Sequence, residues 1–193
     1  MKAKLKSIAS VQMGHSFRTR LDPDQSGNVA VIQMKDLTED NRLNRDELVV
    51  IDMEELKEKH RVEVNDIAFR SRGLTNTAAL INAELDNAVI AAPLLRIRVE
   101  KKNKIDPAYL CWFINQPASQ ATLLSQSTGT VQRTIGKPAL ESLELLIPPM
   151  DAQIKIVELE RLALEEQKIM KELAEKKRQL MEGILMCFAS ESQ

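Results

Sequence analysis

Residues 143–167 read LELLIPPMDAQIKIVELERLALEEQ, Leu143 to Gln167. An apolar run of strand character meets two prolines, and a charged, helix-favouring pattern then starts. Pro148 and Pro149 cannot continue a strand, because proline has no N–H to donate to a ladder. Asp151 is placed as the N-cap of the helix beyond them. From Ala152 to Phe188 only Gly183 disfavours helix, and there is no proline. At ~1.5 Å per residue this stretch predicts a rod of roughly 55 Å.

The apolar stripe of that helix is narrow. With Leu159 at heptad position a, Leu173, Leu180 and Cys187 recur at a. Leu162 and Ile169 fall at d, with Ala163, Met170 and Ile184 beside them. Glu166 and the block Lys176-Lys177-Arg178 interrupt the seam. Polar residues in a seam cost stability and can fix register. One narrow stripe does not hold an isolated helix in water, so a second surface must cover it. The head of the protein could do so. The stripe outlasts a head of this size, and a partner helix is therefore expected. The candidate partner-helix residues are Leu159, Leu162, Ile169, Met170, Leu173, Leu180 and Ile184.

Upstream, the pattern is that of a mixed head, residues 1–149, followed by the helix, residues 150–190. The fold class expected is α+β, a mixed α/β globular head with a long C-terminal coiled-coil-forming helix. Lys4 to Met13, VAVIQM (Val29 to Met34) and LVVIDM read as strands. SFRTRLDPDQSGN between the first two is turn-rich, through Asp22-Pro23-Asp24 and Ser26-Gly27-Asn28. EELKEKH reads as a short exposed helical turn or loop. VEVNDIAF alternates and contains an Asn-Asp turn. AALIN and AVIAAPLLRIRV read as strands facing each other across Ala83 to Asn87. The second is apolar throughout and so central in a sheet. DPAYLCWFINQP is a helix with proline at its first position. SQATLLSQS and PALESL give further short helical turns around the loop GTVQRTIG.

Composition bounds the function. The 193 residues are 44% hydrophobic and 28% charged, with net charge −1. No global basic field points to a polyanion, although a local patch suffices for one. The aromatic content is 3% and there are 8 methionines, so the core is built from Leu, Ile, Val, Ala and Met. Cys111 and Cys187 both sit in apolar company and are read as buried free thiols. No metal site is expected, because neither cysteine has His15 or His60 at zinc-ligand spacing. The N-terminus lacks a signal-peptide core, and no apolar run approaches the ~20 residues of a membrane span. A soluble cytoplasmic protein is expected.

The order of these features resembles one half of the specificity subunits of Type I restriction-modification systems. LKSIASVQMGHSFRTR is similar to the opening strand, glycine and basic loop of a target recognition domain. VEVNDIAFRSRG resembles the family segment v-x-x-g-D-i-l-x-x-r-g, with Asn65 where glycine is usual. AAPLLRIRV followed by DPAYLCWFINQP resembles the next strand and the Tyr-Leu helix. STGTVQRTIGKPALESLELLIPPMDAQIKIVELE resembles the Gly-Thr loop, Leu-rich strand, Pro-Pro break and Gln-x-x-Ile-Val helix start. LMEGILMCF is similar to the closing helix pattern. Full family members carry two recognition domains and two helical regions, whereas this sequence carries one of each.

The resemblance implies a non-catalytic protein that reads double-stranded DNA and holds methyltransferase subunits, and in some systems a restriction subunit, on the target. No cofactor is expected on this chain; S-adenosylmethionine belongs to the partner methyltransferase. A half-size chain implies a homodimer or pairing with a second half-subunit. The residues agree in a negative way: there is no methylation signature, Gly-rich phosphate loop, nucleophile–His arrangement or zinc spacing. The competing reading is a coiled-coil interaction module or regulatory half-subunit that binds the methyltransferase without reading DNA.

Reading DNA requires cations for phosphates and forked or amide side chains for base edges. Three groups in loops qualify. Arg18 and Arg20 lie in a turn-rich segment, unless Asp22 and Asp24 neutralise them in a solvated cluster. Arg70 and Arg72 precede Gly73, with few acids nearby in sequence. Gln132 and Arg133 lie between Gly129 and Gly136, with Lys137 adjacent, unless that loop packs on the long helix. Arg96 and Arg98 alternate in a strand and are expected on an exposed sheet face. Trp112 is expected in the core.

Overall fold

The computed structural model describes the chain except residues 19, 25, 39, 74, 75, 130–132, 192 and 193 and the side chain of residue 191. Two compact units emerge, Met1–Gln153 and Ile154–Gln193.

Among the described residues of the first unit, short strands assemble into three sheets. β1 (Lys2–Lys4) pairs antiparallel with β9 (Glu144–Leu146), so the chain start closes on the last strand before Pro148. β2 (Ala9–Met13), β8 (Leu94–Val99), β5 (Ile67–Arg70) and β6 (Ala78–Leu80) form an antiparallel four-stranded sheet in the order β2-β8-β5-β6. β4 (Val49–Ile51), β3 (Val29–Ile32) and β7 (Ala88–Ile90) form a three-stranded sheet in which β3 and β7 run parallel.

Ile32, Ala88 and Ile90 of the three-stranded sheet share one apolar cluster with Ala68, Ala79 and Leu94 of the four-stranded sheet. On its other side Val29, Val31 and Val89 pack with Phe17 and Leu21. Alternation in β3 and β7 produces both clusters, since successive side chains point to opposite faces.

α1 (Pro107–Asn115) starts where Asp106 accepts from the Ala108 and Tyr109 amides at 2.8 and 3.0 Å. It docks on β6, with the Asn115 carboxamide accepting from Ala78 N at 2.8 Å and donating to Ala78 O at 2.9 Å. The Tyr109 hydroxyl donates to Leu146 O at 2.7 Å and so ties α1 to β9. α2 (Pro117–Ser125) and α3 (Lys137–Ser142) complete this unit.

Several expectations change. Lys4 to Met13 is not one strand: a 3-10 turn at Leu5–Ser7 separates β1 from β2. Leu5 is fully buried there, and its amide donates to Leu143 O at 2.9 Å. AVIAAPLLRIRV is two strands in different sheets. Pro93 has no ladder donor, the Ala92–Pro93 peptide is cis, and Leu94 N turns back to Ala91 O at 3.0 Å. β6 therefore pairs with β5 and not with the strand after Asn87. Cys187 is exposed, whereas Cys111 is buried. Trp112 is half-buried, its ring 5.4 Å from that of Tyr109.

α4 runs Met150–Glu191, 42 residues. Asp151 thus lies in its first turn and not at the cap, where it still meets the positive end of the helix dipole. The first turn belongs to the head because of Gln153, which is fully buried. Its Oε1 accepts from Asp106 N at 2.9 Å, and its Nε2 donates to Lys104 O at 3.0 Å and Pro148 O at 2.9 Å. Taken by itself, the second unit is a helix laced by ion pairs Arg161–Glu158, Arg161–Glu165, Arg178–Glu175 and Arg178–Glu182.

Candidate nucleic-acid interface

Strand direction decides which loops meet. Met13 ends β2 opposite Leu95, and Arg70 ends β5 opposite Leu94. The segments leaving β2 and β5 and the turn entering β8 therefore share one end of the four-stranded sheet. Gly14 makes the first of them possible: a Cβ there would lie 2.6 Å from the Ala91 carbonyl carbon. Its amide donates to Leu94 O at 2.9 Å.

Arg18 and Arg20, a few residues on, are exposed. No ion pair joins them to Asp22 or Asp24 among the described residues. Asp24 instead accepts from Ser26 Oγ at 2.7 Å and Ser26 N at 2.8 Å, and the hydroxyl first, then the amide, hold its carboxyl below the usual range. A cleft of about 500 Å³ lies between Ser16–Phe17 and Met34–Lys35, with Pro93 at its floor.

The second pair divides. Arg70 is half-buried and turned inward. Its Nη1 donates to Thr77 Oγ1 at 3.3 Å, and its Nη2 donates to the carbonyls of Leu37 and Thr38. Burial lowers its pKa from the ordinary guanidinium value. Arg72 is exposed and forms an antiparallel bridge with Thr134. Next to that bridge, Ile135 N donates to Ser71 O at 2.8 Å, and Thr128 and Thr134 exchange backbone hydrogen bonds at 2.8 and 3.0 Å. Exposed Arg133 is thereby brought beside the Arg72 segment, at the rim of an open depression of about 650 Å³ lined by Leu124, Ser125 and Ser127. Lys137, at the start of α3, pairs with Glu141 at 3.5 Å. Gln132 lies outside the described residues.

Arg96 and Arg98 do not occupy an exposed face. Arg96 is 8% exposed. The register sets Arg96 between Gln12 and Ala68, on the face turned to the three-stranded sheet. Arg98 holds Asp66 through Nε and Nη2, both at 2.7 Å, and also meets the Glu63 carboxylate. The hydrogen bond to Asp66 raises the Arg98 pKa. Desolvation lowers that of Arg96, whose Nε stands 4.0 Å from Asp66. Asp66 belongs to the family-like segment VEVNDIAFRSRG, but no sequence separation announces its partners 30 and 32 positions away. Asn65, in the usual glycine position, has φ 74°. That left-handed region is open to Gly and, next best, to Asn.

Among the described residues no cluster of His, Cys, Asp or Glu could hold a metal ion, and no helix is long and apolar enough to cross a membrane. On α4 the seam side chains are exposed in the single chain, from Ile184 at 40% to Leu159 at 67%.

This architecture recurs in solved specificity subunits. The Type I restriction-modification S subunit of M. genitalium matches over 93% of this chain and 42% of its own, at 14% identity and TM-score 0.60. The HsdS subunit of Thermoanaerobacter tengcongensis matches over 86% and 37%, at 12% identity and TM-score 0.60. A chain from a structure of complex assembly and conformational transition in the type I R-M system matches over 93% and 42%, at 15% identity and TM-score 0.65. The chain spans about two fifths of each. No curated protein sequence matches it. The family model for the Type I restriction modification DNA specificity domain covers residues 1–175, and the chain belongs to that family. Such a domain is the DNA-recognition component of its system and not a catalytic one.

Proposed function

We propose that this chain is a half-size specificity subunit whose head reads DNA through the loops gathered at one end of the four-stranded sheet. Arg18, Arg20, Arg72 and Arg133 are its contacts, and Lys137 belongs to the same surface. The observation that carries this reading is the convergence of Arg72 and Arg133 through the Ser71–Ile135 and Arg72–Thr134 pairing. The pairing brings the backbone segments of Arg72 and Arg133, 61 positions apart in sequence, next to each other with both residues exposed, and guanidinium forks suit phosphates and guanine edges.

The exposed seam of α4 pairs with the same seam of a second half-subunit, most simply in a two-fold homodimer that reads a bipartite site. A methyltransferase partner supplies S-adenosylmethionine and the chemistry, and a restriction subunit joins where the system also cleaves.

The test is Arg72→Ala with Arg133→Ala in the complex reconstituted with methyltransferase. If the arginines touch bases, each removal costs about 1–3 kcal/mol and relaxes one position of the site; if they touch phosphates, each lowers the salt slope by about one. Unchanged affinity and unchanged slope would remove both arginines from the interface. For pairing, sedimentation equilibrium is decisive: a stable monomer at micromolar concentration, with and without methyltransferase, rules out the homodimer.

A further inference from the structure

One polar chain crosses from the buried ion cluster to the segment bearing Arg18 and Arg20. Arg96 donates through Nη2 to Gln12 Oε1 at 2.7 Å and through Nη1 to Arg61 O at 2.7 Å. A guanidinium can only donate, so the Gln12 atom it meets is the amide oxygen. The amide nitrogen must then face His60, 3.2 Å from Nδ1. That nitrogen also only donates. His60 Nδ1 is therefore the acceptor, and the ring is neutral with its proton on Nε2. Gln12 cannot flip to suit a protonated ring without turning its N–H groups on Arg96.

The His60 ring meets His15 edge-on, centroids 5.2 Å apart at 84°, and His15 meets Phe17 at 4.7 Å. The His15 backbone is held on both sides, its N–H donating to Ile90 O at 2.7 Å and its carbonyl accepting from Ala92 N at 2.9 Å. Phe17 packs on the cluster containing Val29 and Val31. Arg18 is the next residue.

We propose that His60, held neutral by Gln12, is a positioning residue for the DNA-reading segment that carries Arg18 and Arg20. It braces His15, and through His15 the ring of Phe17, and so sets where the two arginines emerge. This rests on the reading that those arginines touch DNA.

The surroundings oppose a second proton on His60. Its own turn contributes Lys57, Lys59 and the pair Glu58–Arg61 at 3.4 Å; β8 contributes Arg96, with Arg98 and Asp66 beyond it; the segment after β2 contributes His15. Burial first, then His15, Lys59, Arg96 and Lys57, lower the His60 pKa from its usual value. Between its folded pKa and about pH 6.5, the native state thus binds fewer protons than the unfolded chain. The brace is complete at neutral pH and is lost as pH falls through the folded pKa.

Two measurements on the full chain test this. Imidazole nitrogen shifts and amide relaxation at Ser16, Phe17 and Arg18 are recorded at pH 7.5 and 5.5, for the wild type and His60→Ala. Binding is measured by anisotropy, at the same two pH values, to the tightest 24-base-pair duplex recovered from a random-sequence pool at pH 7.5. The comparison is with His60→Asn, whose carbonyl receives Gln12 without titrating. We expect an unprotonated Nδ1 at pH 7.5 and loosened Ser16–Arg18 amides in His60→Ala. Once acidification protonates His60, as its nitrogen shifts report, the wild type loses about fivefold more affinity than His60→Asn, equivalent to about 1 kcal/mol. A protonated Nδ1 at pH 7.5, rigid amides in a folded His60→Ala, or identical affinities for wild type and His60→Asn at a pH where the nitrogen shifts show His60 protonated would overturn the proposal. Loosened amides with unchanged DNA affinity would uphold the positioning role and refute DNA contact by Arg18 and Arg20.

Discussion

Asp66→Ala removes the carboxylate at the centre of a buried ion cluster. Asp66 is 1% exposed. Its two oxygens accept from Arg98 Nε and Nη2 at 2.7 Å and from Glu63 N at 2.9 Å, and Arg96 Nε stands 4.0 Å away. Without the carboxylate, two guanidinium groups on one strand share only Glu63, whose side chain is 57% exposed. Removing one partner of a buried ion pair costs ~3–5 kcal/mol, because the other charge stays buried. The Arg98 side chain is 24% exposed, so water screens part of this and the lower end, about 3 kcal/mol, applies. At ~2–4 °C per kcal/mol for a unit of this size, the melting temperature falls by about 6–12 °C. Urea unfolding followed by Trp112 fluorescence reads the loss. Asp66→Asn keeps the shape and removes the charge, and should show more than half of it. Arg98→Met in the Asp66→Ala background should recover part, since it deletes the stranded cation. A cost for Asp66→Ala below about 1 kcal/mol, or no recovery with Arg98→Met, refutes the reasoning.

Buried groups elsewhere set two more outcomes. Gln153→Ala strands Asp106 N, Lys104 O and Pro148 O, and should cost about 2–3 kcal/mol in urea unfolding with faster amide exchange at Asp106; a neutral effect would mean that Gln153 does not pin the first turn of α4. Burial pushes the Cys111 thiol up to about 12, while Cys187 is exposed. An aromatic disulfide reagent at pH 8 should therefore titrate one thiol per native chain and two in denaturant, and rapid release of two from native protein would contradict the packing of α1 on β6.

Local chemistry made much of the fold legible. Pro148-Pro149 marks the strand-to-helix break because proline removes a donor and fixes φ. Asp106-Pro107 marks the α1 start because a carboxylate caps and proline suits the first turn. The α4 stripe could be read from heptad spacing alone. Pattern misled where one largely apolar run served two sheets: AVIAAPLLRIRV reads as a single strand despite Pro93, and the pairing of Ala88–Ile90 with β3 and of Leu94–Val99 with β2 and β5 divides it. It misled again at Arg96 and Arg98, where alternation suggested an exposed face and the fold instead turns them toward the three-stranded sheet and the buried Asp66 carboxylate.

By itself the sequence determined the elements whose causes lie within a few residues: turns, caps, breaks and periodic stripes. It also determined which loops carry cations. The tertiary structure decided which of those cations remain available. Arg70 and Arg72 are two positions apart, yet the fold turns one guanidinium onto the Leu37 and Thr38 carbonyls and leaves the other exposed beside Arg133. His60, silent in sequence, became a neutral acceptor only because Arg96 fixes which end of Gln12 it meets. Spacing along the chain specifies a side chain's direction, but its partners come from strands 30 to 90 residues away, and only folding brings them within the ~3 Å at which a donor finds an acceptor.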